Sequence, residues 1–460
     1  MTARVAFTAS EYQADGTIAP TAYEIAGTPA DGWEIRREGA LRLRLGSGYR
    51  LLQTSHCGVC ATDLARRHLP FPLPQVIGHE VVATEEDGTP VVVEINASHA
   101  ARGLASTCAY CTRGLPSHCP DRLVLGIHEL PGGFGPWLLA PTAAVLPLPG
   151  GMTPRMATFV EPFAAALHAV RVTTRVARAR VAVLGPRRLG MLVVAALAAW
   201  RRRSGGRYEI LALARRPELC TLARRLGADD AIDPERLEAG GADVVIDTTG
   251  SPAGFERALM LARDEVHLKT TCGETSAGLA HATAMVVDEI ALAREGTDLL
   301  VSPTGGPSFE TLLGVEGTPD RVRELLTSHG LRPVERAELA TTPFGAADVV
   351  AVPSIAEVDG AIRPVAGVER GLVRPRGLVV VAGGAPVGGP LAAAVERGVV
   401  VTTSRCGDFR AALDLLHDVP DLPAALVTAT FPADRLADAF AAAASPTHLK
   451  VVVTQPGSVL

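Results

Sequence analysis

Lysine is almost absent from this chain. Of 44 basic residues only Lys269 and Lys450 are lysines; the rest are arginines. Schiff-base chemistry, which needs an amine nucleophile, therefore has two candidates. Set beside the abundance of alanine, glycine and arginine, the scarcity reads as the imprint of a GC-rich genome. A large excess of charge is also missing. The formal net charge is −5, which argues against nucleic acid or an acidic membrane surface as the main partner. There is no long apolar run: the most hydrophobic stretch, MLVVAALAAW (191–200), is too short to span a bilayer and leads into three arginines. The opening MTARVAFTASEYQADG lacks the basic flank and apolar core of a secretory signal. These absences predict a cytoplasmic protein without a membrane partner. In that setting the eight cysteines are expected as metal ligands or thiols rather than disulfides.

What is present is a globular composition, 47% hydrophobic and 20% charged over 460 residues, enough for two or three domains. No low-complexity tract interrupts it. Residues 1–150 carry short β-like runs (RVAFTA, LRLRL, RLLQTS, PVVVEI, WLLAP) among glycines and prolines, the texture of an irregular β-rich domain. TPRMATFVEPFAAALHAVRVT (153–173) reads as a helix, with Thr153 as N-cap and Pro154 in its first turn. From residue 180 strands and helices alternate, which predicts a parallel sheet covered on both faces. Residues 297–395 read as an inserted α/β lobe or a partial internal duplication. The stretches 242–273 and 347–384 share the order strand, helix, strand, glycine, and 286–295 resembles 395–405.

The cysteines are grouped. Cys57 pairs with Cys60, and Cys108, Cys111 and Cys119 lie together, while Cys220, Cys272 and Cys406 are isolated and read as small core residues. HCGVCATDL (56–64) and VIGHE (76–80) offer a thiolate, an imidazole and a carboxylate, with a hydroxyl close behind. A catalytic zinc takes three protein ligands and keeps one position open. The candidates are Cys60, His79 and either Glu80 or Glu161. Thr62, if its segment is extended, points to the same side as Cys60 and offers its hydroxyl to carry a proton. Asp63 is a candidate to hold the backbone or a ligand histidine. Cys57-x-x-Cys60 also has the spacing of a redox pair, but the β-rich context does not suit that motif.

VAVLGPRRLGML (181–192) follows a predicted strand and opens a helix. Gly185 and Gly190 match the first and third glycines of a G-x-G-x-x-G dinucleotide turn, with Arg187, Arg188 and Leu189 between them. Arg187 occupies the middle position, where a long side chain either pairs with a phosphate or obstructs it. The second strand ends at Ala214, followed by Arg215 and Arg216. No acid stands there to repel a 2′-phosphate, and guanidinium grips phosphate in a bidentate way, so NADP is expected over NAD.

GVCATD, GHE, VLGI, FVEPFAAAL and the glycine turn stand in the order found in the zinc-dependent medium-chain alcohol dehydrogenases. The chain resembles that family, and within it the polyol, glucose and threonine dehydrogenase branch, over most of 50–296 and again at about 396–455. The resemblance implies a GroES-like β-rich catalytic domain (1–153, completed by 406–460) and a Rossmann domain with a doubly wound parallel sheet (154–296, returning at 396–405), with 297–395 as the extra α/β insertion. It implies a zinc on Cys60, His79 and Glu161, with Glu80 as the carboxylate that exchanges onto the metal. Asp247 and Thr249 would lie near the nicotinamide ribose. Cys108, Cys111 and Cys119 match the last three of the family's four structural-zinc cysteines; the first falls on Ala105. Either His99 or another nearby group completes that site, or it has decayed to free thiols. The relay histidine of some relatives is replaced by Ala65. The implied reaction is hydride transfer between a secondary or polyol-type alcohol and NADP, in a homo-oligomer (dimer or tetramer). The rivals are a non-catalytic scaffold that keeps the fold, favoured by Arg187 and Ala105, and a zinc-free enoyl or quinone reductase, against which Cys60, His79 and Glu161 stand.

Overall fold

The structure, a computed structural model, describes residues 3–105, 107–173, 180–271, 273–297, 302–363, 371–383 and 388–456. Cys272, expected in the core, lies outside them. Two compact units emerge: Met1–Ala164 together with Asp408–Leu460, and Ala165–Gly407. Among the described residues no helix is long and apolar enough to cross a membrane.

The first unit is built from antiparallel strands. Ala3–Tyr12, Ile18–Thr28, Gly32–Arg37 and Ala40–Leu45 form a four-stranded meander, closed by tight glycine turns. The long strand Tyr49–Val59 centres a seven-stranded sheet and pairs with Glu80–Thr84 on one side. On the other it meets Lys450–Thr454, which returns from the far end of the chain so that Val451 faces Val59. The 153–173 stretch is two helices, Pro154–Ala157 and Val160–Thr173, the first capped by the Thr153 hydroxyl on the Met156 N–H at 3.2 Å.

The second unit is one sheet of eleven strands. In chain order they are β1 (Arg180–Leu184), β2 (Glu209–Leu213), β3 (Asp230–Ile232), β4 (Ala242–Asp247), β5 (Ala262–Leu268), β6 (Ala291–Arg294), β7 (Thr311–Gly314), β8 (Arg332–Pro333), β9 (Ala347–Val352), β10 (Val373–Val381) and β11 (Val400–Thr403). Their order across the sheet is β3-β2-β1-β4-β5-β11-β6-β10-β9-β7-β8. Valine-rich strands such as β1 (VAV, 181–183), β10 (VVV, 379–381) and β11 (VV, 400–401) are buried on both faces, as a helix-covered parallel sheet requires. The helices, in chain order, are α1 (Val160–Thr173), α2 (Arg188–Ser204), α3 (Pro217–Arg225), α4 (Pro252–Leu261), α5 (Ala282–Val287), α6 (Asp320–Ser328), α7 (Val358–Ile362) and α8 (Pro390–Glu396).

The 297–395 segment therefore does not form a sheet of its own. Its strands continue the parallel sheet begun by β1–β5, and the order is symmetric about the antiparallel β11–β6 junction, where Leu292 faces Val401. The two halves exchange their last helix–strand unit. β6 follows β5 in the chain but runs parallel to β10, whereas β11 follows β10 but runs parallel to β5. The helices move with them. Asp359 of α7 accepts from the Ala280 and His281 N–H groups at 2.8 and 3.0 Å, holding the start of α5, and Arg397 beyond α8 donates to the Leu259 carbonyl of α4 at 2.8 Å. The edges of β6 and β11 thereby satisfy each other.

Candidate metal and nucleotide sites

Cys60 ends the long strand and caps a single helical turn, Ala61–Leu64. Its sulfur accepts the Thr62 N–H at 3.2 Å, while Asp63 Oδ2 accepts the Cys60 N–H at 3.0 Å. This reciprocal cap corrects the extended reading of the segment: Thr62 follows Cys60 around a turn, not along a pleat. His79 Nε2 lies 3.1 Å from Cys60 Sγ, and its other nitrogen, Nδ1, lies 3.4 Å from Asp63 Oδ1. Asp63 thus stands behind the ring and orients it, the carboxylate–histidine arrangement that supports a ligand. Burial would lower the His79 pKa, but Cys60 and Asp63 together hold it well above its ordinary value. An imidazole facing a thiolate donor and backed by a carboxylate is a donor set suited to a divalent cation.

Among the described residues, Cys60, Asp63 and His79 are the group that converges here, with donor atoms within 4.8 Å of one another; Glu80 and Glu161 stand outside it. Glu161 lies in the first turn of α1. Glu80 is buried and pairs with Lys450 Nζ. Gly58 makes room for the pair, since a Cβ there would overlap both Glu80 and Lys450. Burial brings Lys450 down to about 8 although Cys60, Cys57 and Asp63 oppose the shift. The pairing of Lys450 with Glu80 beside the site was missed from the sequence. The available signal was a lone lysine inside the apolar strand HLKVVV. Cys57 is fully buried, packed beneath Gly78 and Gly133, and burial pushes its thiol up. That protonated, enclosed thiol lacks the features of a redox partner.

The second sulfur cluster gains a fourth donor. His99 Nδ1 lies 3.2 Å from Cys119 Sγ and 3.7 Å from Cys111 Sγ, and Cys108 Sγ lies 4.0 Å from Cys119 Sγ. All four donor atoms fall within 4.8 Å of one another. Asp121, 3.6 Å from His99 Nε2, orients the ring from behind. The set has the composition and closure of a structural zinc site.

In the second unit Gly185 sits at φ +73°, and a Cβ there would come within 2.6 Å of Thr249 Cγ2. A Cβ on Gly190 would overlap the Thr248 hydroxyl, which donates to the Leu184 carbonyl at 2.9 Å. Both glycines are therefore required by close packing at the strand–helix turn. Arg187 precedes α2, which begins at Arg188 and continues through Leu189. Burial, then the neighbouring Arg216, lowers the Arg187 pKa. Arg216 occupies the N-cap position of α3 and lies 3.4 Å from Glu218, while Arg215 is exposed. Asp247 ends β4 with no exposed surface. It accepts the Thr249 N–H through Oδ1 at 2.9 Å, and Oδ2 has no partner among the described residues. Burial raises it to about 6. Cys220 and Cys406 are half-buried rather than core residues; the Cys220 thiol donates to the Ala214 carbonyl at 3.3 Å.

Residues 46–150 match the alcohol dehydrogenase GroES-like domain family. The L-galactonate-5-dehydrogenase of Escherichia coli is 30% identical over 240 residues, covering 47% of this chain and 67% of that protein. The chain belongs to the zinc-dependent medium-chain dehydrogenases. The sorbitol dehydrogenase of Halalkalibacterium halodurans is 28% identical over 229 residues, covering 46% of this chain and 65% of that protein, so the aligned part spans just under two thirds of this relative's length. The crystal structure of L-idonate 5-dehydrogenase from Escherichia coli shares the fold, with a TM-score of 0.60 at 16% identity over 98% of this chain and 99% of that one. The α/β class, with a GroES-like unit and a Rossmann-type sheet, is the family's.

Proposed function

We propose that the protein interconverts a secondary or polyol-type alcohol and its carbonyl by hydride transfer with NADP(H), using a catalytic zinc. The observation that carries this reading is the 3.1 Å approach of Cys60 Sγ and His79 Nε2, with Asp63 behind the imidazole. Cys60, His79 and Glu161 would hold the zinc, and Glu80, held by Lys450, is the alternate carboxylate. A zinc held there would supply Lewis acidity to the substrate oxygen, and NADP(H) would supply or accept the hydride. Thr62 offers the hydroxyl that carries the alcohol proton outward, toward water. The turn Gly185–Gly190 receives the pyrophosphate at the start of α2, with Arg187 and Arg188 as phosphate partners, and Arg215 with Arg216 selects the 2′-phosphate. Asp247 and Thr249 border the nicotinamide ribose. His99, Cys108, Cys111 and Cys119 hold a second, structural zinc.

Metal content and turnover test this together. His79→Ala is expected to lose about one zinc of two per chain and to lower NADPH-dependent carbonyl reduction by about a thousandfold or more. Zinc content unchanged in that variant would overturn the assignment. A second reading, a scaffold that retains the fold without catalysis, is favoured by Arg187 at the middle of the glycine turn. Absence of NADPH binding at millimolar nucleotide would select it.

A further inference from the structure

Directly after β11 the chain turns through Ser404–Cys406, and side chains from across the second unit hold this turn by its backbone. Lys269, at the end of β5, donates to the Ser404 carbonyl at 2.9 Å, the Ser404 hydroxyl at 3.1 Å and the Arg405 carbonyl at 2.7 Å. His168 of α1 bonds the Cys406 carbonyl through Nδ1. The Arg405 N–H donates to Glu289 Oε1 at 2.7 Å, and the same oxygen lies 3.3 Å from His168 Nδ1. Nδ1 therefore faces two acceptors, which fixes the proton on it.

Glu289 is buried, and its second oxygen is taken by Arg376 Nε. Arg376 belongs to the 297–395 segment. It reaches Glu289 because β10 makes an excursion: its pairing with β9 jumps from Ala347↔Val373 to Val349↔Leu378. Within that excursion Arg374 turns into its own half, onto Asp348, while Arg376 turns out to Glu289 and donates its N–H to the Asp288 carbonyl at 2.7 Å. Glu289 and Arg376 both have positive φ, 54° and 57°, although neither is glycine. Side chains pay a steric cost there, and it persists where the surroundings fix the conformation, commonly beside functional sites.

The position of the turn gives this chain of contacts a direction. Ligands of open parallel sheets bind outside the carboxyl ends of the strands. Across the sheet those ends run β2, β1, β4, β5, β11. Arg215 and Arg216 follow β2, at the adenosine end, so the nicotinamide end lies toward β5 and β11, where Ser404–Cys406 sits. Resting on the NADP(H) reading above, we propose that Arg376 is a positioning residue for the nicotinamide end of the nucleotide: through Glu289 it fixes the Arg405–Cys406 turn. The region that distinguishes this chain from a single nucleotide half would then contribute to its nucleotide site.

The test compares two probes on the full-length protein: NADPH by fluorescence titration, and 2′-phospho-ADP-ribose, which keeps the adenosine end and lacks nicotinamide, by competition. Arg376→Gln should weaken NADPH by about fivefold or more and leave 2′-phospho-ADP-ribose within about twofold, with Arg376→Lys recovering most of the loss. Glu289→Gln should reproduce the pattern and serves if Arg376→Gln fails to fold. Equal weakening of both probes, or NADPH binding unchanged in a folded variant, overturns the proposal. Wild-type protein that binds neither probe overturns the NADP(H) reading itself, and the proposal with it.

Discussion

The two halves of the eleven-stranded sheet place a strand, a glycine turn and a helix at corresponding positions, yet with opposite chemistry. Beyond β1 stand Gly185, Arg187, Arg188 and Gly190; β7 ends on Gly314 and is followed by Glu316 and Gly317, and α6 begins with Asp320. The first turn is basic where a phosphate would approach a helix start. The second is acidic and filled by its own side chains. A Cβ on Gly314 would lie 2.7 Å from Arg323 Nε, Pro353 covers Gly317, and Arg321 bridges Glu295 at 2.8 Å and the Ala382 carbonyl at 3.2 Å. The buried aspartates differ in the same sense. Asp348 in β9 is satisfied by Thr311 and by Arg374, which hold it below its ordinary value despite burial. Asp247 in β4 keeps an oxygen without a partner among the described residues and is raised. Topology sets where a ligand can approach. Of the two aspartates, the one in β9 is settled within its own half, and the one in β4 keeps an oxygen open to a further partner.

The contrast can be broken at either aspartate. Asp348→Asn removes the carboxylate from a guanidinium with no exposed surface and should cost about 3–5 kcal/mol in denaturant unfolding, with no change in NADPH affinity. Wild-type Asp348 stabilises above its unfolded pKa, and that contribution disappears as pH falls through its lower folded value. Asp247 has the opposite sign. Its folded pKa, about 6, lies above the unfolded 3.8, so its penalty is absent in acid and grows as pH rises from about 4 through 6. The stability of Asp247→Asn relative to wild type should therefore increase by about 2 kcal/mol between pH 4 and pH 8; a pH-independent difference would show the carboxyl to be unperturbed. On the proposed nucleotide site, Gly185→Val should weaken NADPH binding by about a hundredfold, whereas Gly317→Val should leave it unchanged, since that proposal places the pyrophosphate at the first turn alone. The smallest expected effect is at Arg216: Arg216→Ala should reduce the preference for NADPH over NADH by about tenfold, measured as the ratio of dissociation constants.

Local chemistry was legible where it was local. GVCATD and GHE name Cys60 and His79, and the strand–turn–helix around Gly185 follows from spacing and texture. The role of His99 was open in the sequence because its partners, Cys111 and Cys119, lie 12 and 20 residues away; only the folded loop selects it. Lys450 was hidden for a stronger reason, since its partner Glu80 is 370 residues distant. Thr62 was misplaced because the helical turn that carries it depends on one sulfur and one carboxylate acting as caps, which pattern reading does not register. The similarity between 242–273 and 347–384 was visible, but not that the halves trade their closing elements. Nothing in either stretch records which neighbour β6 or β11 will choose, for that choice is settled by packing between segments more than a hundred residues apart.

The crossed closure of the sheet makes the chain hard to trim. Excising 297–395 would take β10, the parallel neighbour of β6, and nearly all of α8, which leads into β11. What remained would not be a shorter edition of the same sheet but two orphaned ends, each cut to fit a partner no longer there. A segment joined in this manner is held by its own hydrogen bonds, and no single deletion separates it from the rest of the sheet.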